Sequence, residues 1–169
     1  MNIKSRNNYI INYKNSQNEK TKVIKHLPAC LIVDGYNMIF SWDIFQEDKE
    51  EELATSREKL LDILFNYQAF TGEKMIVVFD GYKVKDNLGT IYSRKDMEVV
   101  YTSSNLTADA YIERFVADHR KDYDLTVASS DGLIQNAIFA QGAKRMSARE
   151  LFGRITFINQ EIEEQLAHS

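Results

Sequence analysis

Three apolar runs in this chain end in the same way: LIVDG at Asp34-Gly35, VVFDG at Asp80-Gly81 and VASSDG at Asp131-Gly132. A carboxylate is costly to bury unless it is paired or coordinates a cation. Three of them at matching positions after strand-like segments constrain the fold more than any other feature here. Asp-Gly can mark a hairpin turn between antiparallel strands. That picture fails locally, because Asp34-Gly35 leads towards a helix and Asp131-Gly132 opens directly into one.

The apolar periodicity alternates between two types along the chain. ACLIVD, KMIVVFD, MEVVY and DLTVAS are short and rich in Val and Ile, as strands buried on both faces should be. Longer helical segments lie between them. In ATSREKLLDILFNYQAFTG, Leu60, Leu61, Leu64 and Tyr67 form one stripe and Gly72 is a C-terminal stop. TADAYIERFVADHR starts on Thr107 as N-cap and carries Ile112, Phe115, Val116 and His119 on one face. DGLIQNAIFAQG reads as a short helix, and SARELFGRITFINQEIEEQL opens with Ser147 and Glu150 in capping-box spacing. The expected order is strand, helix, strand, long basic loop, strand, helix, strand, helix, short strand, helix. This alternation predicts an α/β fold with a parallel sheet and helices on both faces.

A parallel sheet sends Asp34, Asp80 and Asp131 to one edge, the carboxyl edge, where open α/β sheets keep their ligand crevice. Asp109, in the first turn of the helix after MEVVY, joins them. Each aspartate alone suits a turn or a helix start. Four from separate parts of the chain at one edge exceed what turn chemistry explains. No basic residue adjoins any of them in sequence, which leaves pairing from afar or a metal. Oxygen ligands with few nitrogen or sulfur donors suit Mg²⁺ or Mn²⁺, which commonly bind one or two carboxylates plus phosphate oxygens. Metal-assisted phosphodiester hydrolysis needs no separate histidine base. His26, His119 and His168 are scattered without ligand spacing.

Other chemistries are unsupported. There is no G-x-x-x-x-G-K-[ST] phosphate loop and no G-x-S-x-G elbow. A phosphatase with an aspartyl nucleophile would place a second acid two residues after Asp34, where Tyr36 stands. No stretch approaches the ~18 apolar residues of a membrane span. The single Cys30 lies inside ACLIV, has no partner in the chain, and is expected in the core. These features suit a reducing cytoplasm.

The 169 residues make about one domain with a basic leader. The net charge of −4 hides an asymmetry: Lys4, Arg6, Lys14, Lys20, Lys22 and Lys25 face only Glu19 in residues 1–26, a balance of +5 that leaves about −9 for the body. Residues 1–28 therefore read as a basic flexible extension or linker, and 29–169 as the folded domain. The acidic runs EDKEEE (47–52) and EIEE (161–164) read as solvated faces.

Five segments in order, LIVDGYNMI, VVFDGYKVK, TADAYIE, VASSDG and GAKRMSARELF, resemble the NYN domain in its YacP-like bacterial branch, a relative of PIN-domain nucleases. The resemblance covers roughly residues 30–155. It implies a PIN-like three-layer α/β/α sandwich with a central, mostly parallel sheet, and metal-dependent endoribonuclease activity associated with ribosomes and translated messenger RNA. On that basis Asp34, Asp80, Asp109 and Asp131 match the family's acidic positions and are expected catalytic metal ligands. Asn37, in DGYN, could orient Asp34 or donate to a phosphate. Ser130 could hydrogen-bond a water on the ion. Glu113, four residues after Asp109 on the same helical face, could join the cluster or form an exposed ion pair.

One residue departs from the family pattern: Leu106 stands before T-A-D where the family commonly has a glutamate. The departure keeps open an RNA- or ribosome-binding module with weak or lost catalysis; a small-molecule phosphohydrolase is a third reading. An acidic crevice alone repels RNA, so basic residues must meet the phosphates. The expected ones are Lys83, Lys85, Arg94 and Lys95 in the loop after the second strand, with Lys144, Arg145 and Arg149 near the last strand. Tyr36, Tyr82 and Tyr92 could stack bases. Trp42 and Phe45 are expected in the core rather than on a contact surface.

Overall fold

A computed structural model of the chain describes residues 8–11, 22–46, 52–81 and 89–169. Within the basic leader, β1 (Asn8–Ile11) and β2 (Lys22–Lys25) pair antiparallel as a separate two-stranded sheet. No element is expected there from the sequence, because the short apolar stretches YII and VI are embedded among Lys and Asn.

The body then runs β3 (Ala29–Asp34), α1 (Gly35–Ser41), a 3-10 turn (Asp43–Phe45), α2 (Leu53–Thr71), β4 (Lys74–Phe79), β5 (Thr90–Arg94) and β6 (Met97–Tyr101). It continues through α3 (Ala108–His119), β7 (Asp124–Ala128), α4 (Gly132–Ala140), β8 (Lys144–Met146) and α5 (Ala148–Ala167). The six strands β3 to β8 form one sheet in the order β5-β6-β4-β3-β7-β8. Every pairing in it is parallel except β5 with β6.

That exception corrects the expectation that all strands run one way. Part of the segment read as a long loop, Thr90–Arg94, folds back along β6 through a two-residue turn at Lys95-Asp96, with Lys95 in the left-handed region at φ 53°. The sequence TIYSR contains the β-branched and aromatic residues that strands favour.

The alternation of side chains along the strands builds two cores. On one face, Leu31, Val33, Met75, Val77, Phe79, Met97 and Val99 pack against α1, α2 and α5. On the other, Cys30, Ile32, Ile76, Val78 and Val100 pack against α3 and α4. This is the three-layer α/β/α arrangement. Leu60, Leu61, Leu64 and Tyr67 are buried as their stripe predicts, and Gly72 closes α2 in the left-handed conformation at φ 69°. Thr107 and Ser147 cap α3 and α5, accepting from the N–H groups of Ala110 and Glu150 at 3.1 Å each.

Trp42 and Phe45 are core residues, and the indole N–H of Trp42 donates to the Ala148 carbonyl at 2.8 Å, tying α1 to the start of α5. Cys30 is buried too, and burial pushes its thiol up to about 11. Among the described residues, no helix is long and apolar enough to cross a membrane.

Candidate active site

The sheet changes direction of winding at β3. The chain leaves β3 for β4 on one side and returns to β7 on the other, so the crevice beyond their carboxyl ends is a topological switch point. Asp34 is the last residue of β3 and is level with Val78 of β4. Val33 is level with Ala128, which brings Ser129 beside Asp34. The Ser129 hydroxyl, fully buried, donates to Oδ2 of Asp34 at 3.1 Å. The same oxygen of Ser129 accepts the backbone N–H of Asp131 at 3.2 Å.

Gly35 is required directly after Asp34. A Cβ there would lie 2.3 Å from the Phe79 ring, which is fully buried and stacked on Tyr101. Gly132 meets no such obstacle, so the repeated Asp-Gly has different local reasons at the two places.

Asp80 follows β4 and reaches across to α3, where its Oδ1 accepts the N–H of Ala108 at 2.7 Å. This bond fixes the start of α3 and with it the first-turn Asp109. Asp131 is the N-cap of α4, its Oδ1 accepting from the Leu133 N–H at 2.9 Å.

The acids sense one another. Asp34 is only 8% exposed, and its carboxyl is raised to about 6. Burial is the largest cause; the charges of Asp109 and Asp80 add to it, while the Ser129 hydroxyl and the main chain at Asn37 oppose it. Asp109 is also raised, first by burial and then by Asp131, Asp80 and Glu113. All four aspartates and Glu113 thus meet at the carboxyl edge. Every electrostatic neighbour that perturbs Asp34 or Asp109 is another acid.

A divalent cation fits this donor set, since it would relieve the mutual repulsion and Asp34 and Asp109 are carboxylates of the type Mg²⁺ or Mn²⁺ takes. Asp80 and Asp131 each already commit an oxygen to a helix start. Among the described residues, no three acidic, His or Cys side chains are gathered closely enough to hold an ion unaided. Two carboxylates with water and substrate oxygens suffice for ions of this class.

Asn37 and Ser130 take supporting positions. Asn37 Oδ1 accepts the Ser130 N–H at 2.8 Å, joining α1 to the turn after β7. Ser130 Oγ accepts the Ala148 N–H at 3.0 Å, so its hydroxyl oxygen serves the start of α5. Leu106 is half-buried in the turn before α3, its N–H bonded to the Ser103 carbonyl.

The basic residues divide. Arg94 and Lys95 lie at the opposite edge of the sheet, because β5 is antiparallel and Arg94 is level with Met97 at the start of β6. Arg94 stacks on Phe65 of α2, 3.6 Å from the ring centroid. Lys144 is also at that far edge, paired with Asp124 at 2.9 Å. Arg145 stacks on Phe139 along the outer strand. Arg149, exposed in the first turn of α5, is at the carboxylate edge. Lys83, Lys85 and Tyr82 lie outside the described residues, and of Tyr92 only its place in β5 is described. Tyr36 is not a base-stacking platform: its ring is buried against Phe40 and Phe79.

Ser129 is not among the residues expected from the sequence. Its signal is the doubled serine in VASSDG: strand alternation turns two successive side chains to opposite sides, and only one can face Asp34.

A mostly parallel sheet with an acidic crevice at its switch point agrees with a PIN-like, nuclease type of domain. The chain belongs to the family described as the YacP-like NYN domain, which it matches over residues 31–169. It is 39% identical over 137 residues to uncharacterized protein YacP of Bacillus subtilis (strain 168), covering 80% of each chain. It is also similar to two crystal structures of Rae1 (YacP) from Bacillus subtilis. One, of a mutant form, superposes with a TM-score of 0.71 at 35% identity, over 83% of this chain and 82% of the other. The second gives 0.68 at 37% identity, over 82% and 80%.

Proposed function

We propose that this protein is a metal-dependent endoribonuclease that hydrolyses RNA phosphodiester bonds, acting on messenger RNA in association with the ribosome in the cytoplasm. The observation that carries the reading is the convergence of Asp34, Asp80, Asp109 and Asp131 at the switch point, where the charged groups that act on Asp34 and Asp109 are all acids. Asp34 and Asp109 would hold Mg²⁺ or Mn²⁺, which would supply the positive charge and Lewis acidity that phosphodiester hydrolysis requires. The Ser129 hydroxyl partly offsets the upward push of burial on the Asp34 carboxyl. Asp80 and Asp131 fix the starts of α3 and α4 beside the crevice. Asn37 and Ser130 hold α1, the β7 turn and α5 in register around these acids. The ribosomal setting rests on the family resemblance.

The test is incubation of a long, mostly single-stranded RNA with the purified protein and Mn²⁺ or Mg²⁺, beside EDTA and Asp34→Asn controls. Internal cleavage that disappears in both controls is the expected result. A folded protein that cuts neither free RNA nor messenger RNA on translating ribosomes defeats the enzymatic reading.

A second reading, an RNA- or ribosome-binding module with weak or lost catalysis, is favoured by one observation. Asp80 and Asp131 are each engaged at a helix start, and Leu106 puts an apolar side chain into the turn before α3. Binding without metal-dependent cutting would select it.

A further inference from the structure

The basic residues expected to meet the substrate are mostly at the wrong end of the sheet or outside the described residues, so the crevice needs another cation. Helix α2 runs from the carboxyl edge to the start of β4 and places Arg57 near its beginning, at the acidic end. Arg57 is half-buried, and its Nη1 donates to the phenol oxygen of Tyr36 at 3.0 Å.

That phenol is a rigid anchor. Tyr36 is two residues after Asp34, and its ring packs edge-on to Phe79 at 5.1 Å and stacks with Phe40 at 6.0 Å. The phenol senses both Arg57 and Asp80, so guanidinium and carboxylate both lie near this one side chain. No carboxylate forms an ion pair with Arg57 among the described residues. A guanidinium has five N–H donors in a planar fork suited to phosphate, and only one is given to Tyr36. An arginine held by a neutral partner rather than a carboxylate keeps its full charge for a ligand, and its immobilisation reduces the ordering cost of binding.

We propose that Arg57, held in place by Tyr36, grips a backbone phosphate of the RNA strand beside the acidic crevice, on the α1–α2 side of the sheet. The proposal rests on the nuclease reading above and gives that site its missing positive pole. The contact is to the backbone and so independent of base identity. Arg57 touches the substrate, whereas Tyr36 is a positioning residue acting through it.

Binding of a fluorescently labelled single-stranded RNA is measured on Asp34→Asn protein, which keeps the strand uncut, across a range of salt concentrations. Adding Arg57→Ala should weaken binding about tenfold and lower the log–log salt slope by about 0.7, the loss of one phosphate contact on a single strand. Arg57→Lys should restore the slope and only part of the affinity. Tyr36→Phe, which keeps the ring and the Arg57 charge, should leave the slope intact and weaken binding about threefold. In cleavage assays on otherwise intact protein, Arg57→Ala should raise KM more than it lowers kcat.

Unchanged affinity and slope in folded Arg57→Ala overturn the proposal while leaving the nuclease reading in place. Loss of affinity and slope, where the protein without substitutions cuts neither free RNA nor messenger RNA on translating ribosomes, supports the phosphate grip and defeats the nuclease reading. Where Arg57→Ala does not fold, Arg57→Gln replaces it and is read in the same way. No binding by the Asp34→Asn parent overturns the phosphate grip, while the nuclease reading falls only on the cleavage test above.

Discussion

Ser129 joins the Asp34 carboxylate to the main chain of Asp131, distant in sequence: its hydroxyl donates to Asp34 at 3.1 Å and its oxygen accepts the Asp131 N–H at 3.2 Å. A buried carboxylate without such a donor moves further towards its neutral form. Ser129→Ala should therefore raise the Asp34 pKa above about 6 and shift the acid limb of the cleavage profile upward. Activity should fall several-fold near pH 6 and recover in part near pH 8. Loss of a buried hydrogen bond to a charged group also costs about 2 kcal/mol of stability. A pH–rate profile with Ser129→Thr as the conservative control checks this: an acid limb that stays in place in Ser129→Ala rules out the tuning role.

The raised Asp34 has a sign that can be tested in metal-free protein. Its folded-state carboxyl titrates near 6 against an ordinary value of 3.8, so the folded state binds the proton more tightly. Stability from this group is full below about pH 4 and is lost as pH rises through 6. At about 1.4 kcal/mol per pH unit the cost at neutral pH is roughly 3 kcal/mol. Asp34→Asn removes that charge. In EDTA it should raise the melting temperature at pH 7.5 and change it little at pH 4. Adding Mn²⁺ should stabilise the unaltered protein and not the variant, because the ion and its carboxylate ligand are linked.

Much of this was legible in the sequence, and the reasons are physical. ACLIVD and KMIVVF are strands buried on both faces, and such burial leaves an uninterrupted apolar run that marks its own ends, whereas MEVVY and DLTVA are broken once inside, at the half-buried Glu98 and Thr126. The caps Thr107 and Ser147 and the stop at Gly72 are local chemistry, which sequence records directly. Four aspartates at one edge followed from parallel topology alone. The strand β5 was less legible, since an edge strand half open to solvent has no apolar run, and Ile91 is exposed in it. The placement of Arg94 and Lys144 failed because nearness in sequence to a site says nothing about which end of a strand a residue occupies. Ser129 and Arg57 were invisible for a related reason: both matter through a partner that only the tertiary fold supplies.

Asp80 serves two purposes that substitution can separate. Its Oδ1 caps the start of α3 at 2.7 Å, and its charge faces Asp34 and Asp109. Asparagine keeps the acceptor and loses the charge; alanine loses both. Asp80→Asn should leave stability nearly unchanged while reducing cleavage at least tenfold. Asp80→Ala should reduce cleavage similarly and also cost about 1 kcal/mol, the usual loss for a capping acceptor. Denaturant melts of both variants beside a cleavage assay decide it: equal stability loss in the two would show that the charge, rather than the acceptor, holds α3.

Gly35 offers the sharpest structural prediction, because the constraint on it is steric rather than conformational. A methyl group at this position would meet three carbons of the Phe79 ring at 2.3 to 2.8 Å. The ring cannot swing away easily: it is fully buried, stacked on Tyr101 at 5.4 Å and edge-on to Tyr36 at 5.1 Å. Gly35→Ala should therefore force a backbone shift at the very residue after Asp34, costing about 1–3 kcal/mol as overpacking does in a filled core. Shrinking the obstacle should reverse part of the loss. In Gly35→Ala with Phe79→Leu, the methyl occupies space that the ring vacated, so the double variant should be more stable than the sum of the single losses predicts. A double-mutant cycle by chemical denaturation, with Mn²⁺ affinity measured on each protein, reads both effects. Strict additivity would mean that the two side chains do not collide, and that glycine stands after Asp34 for some reason other than the ring of Phe79.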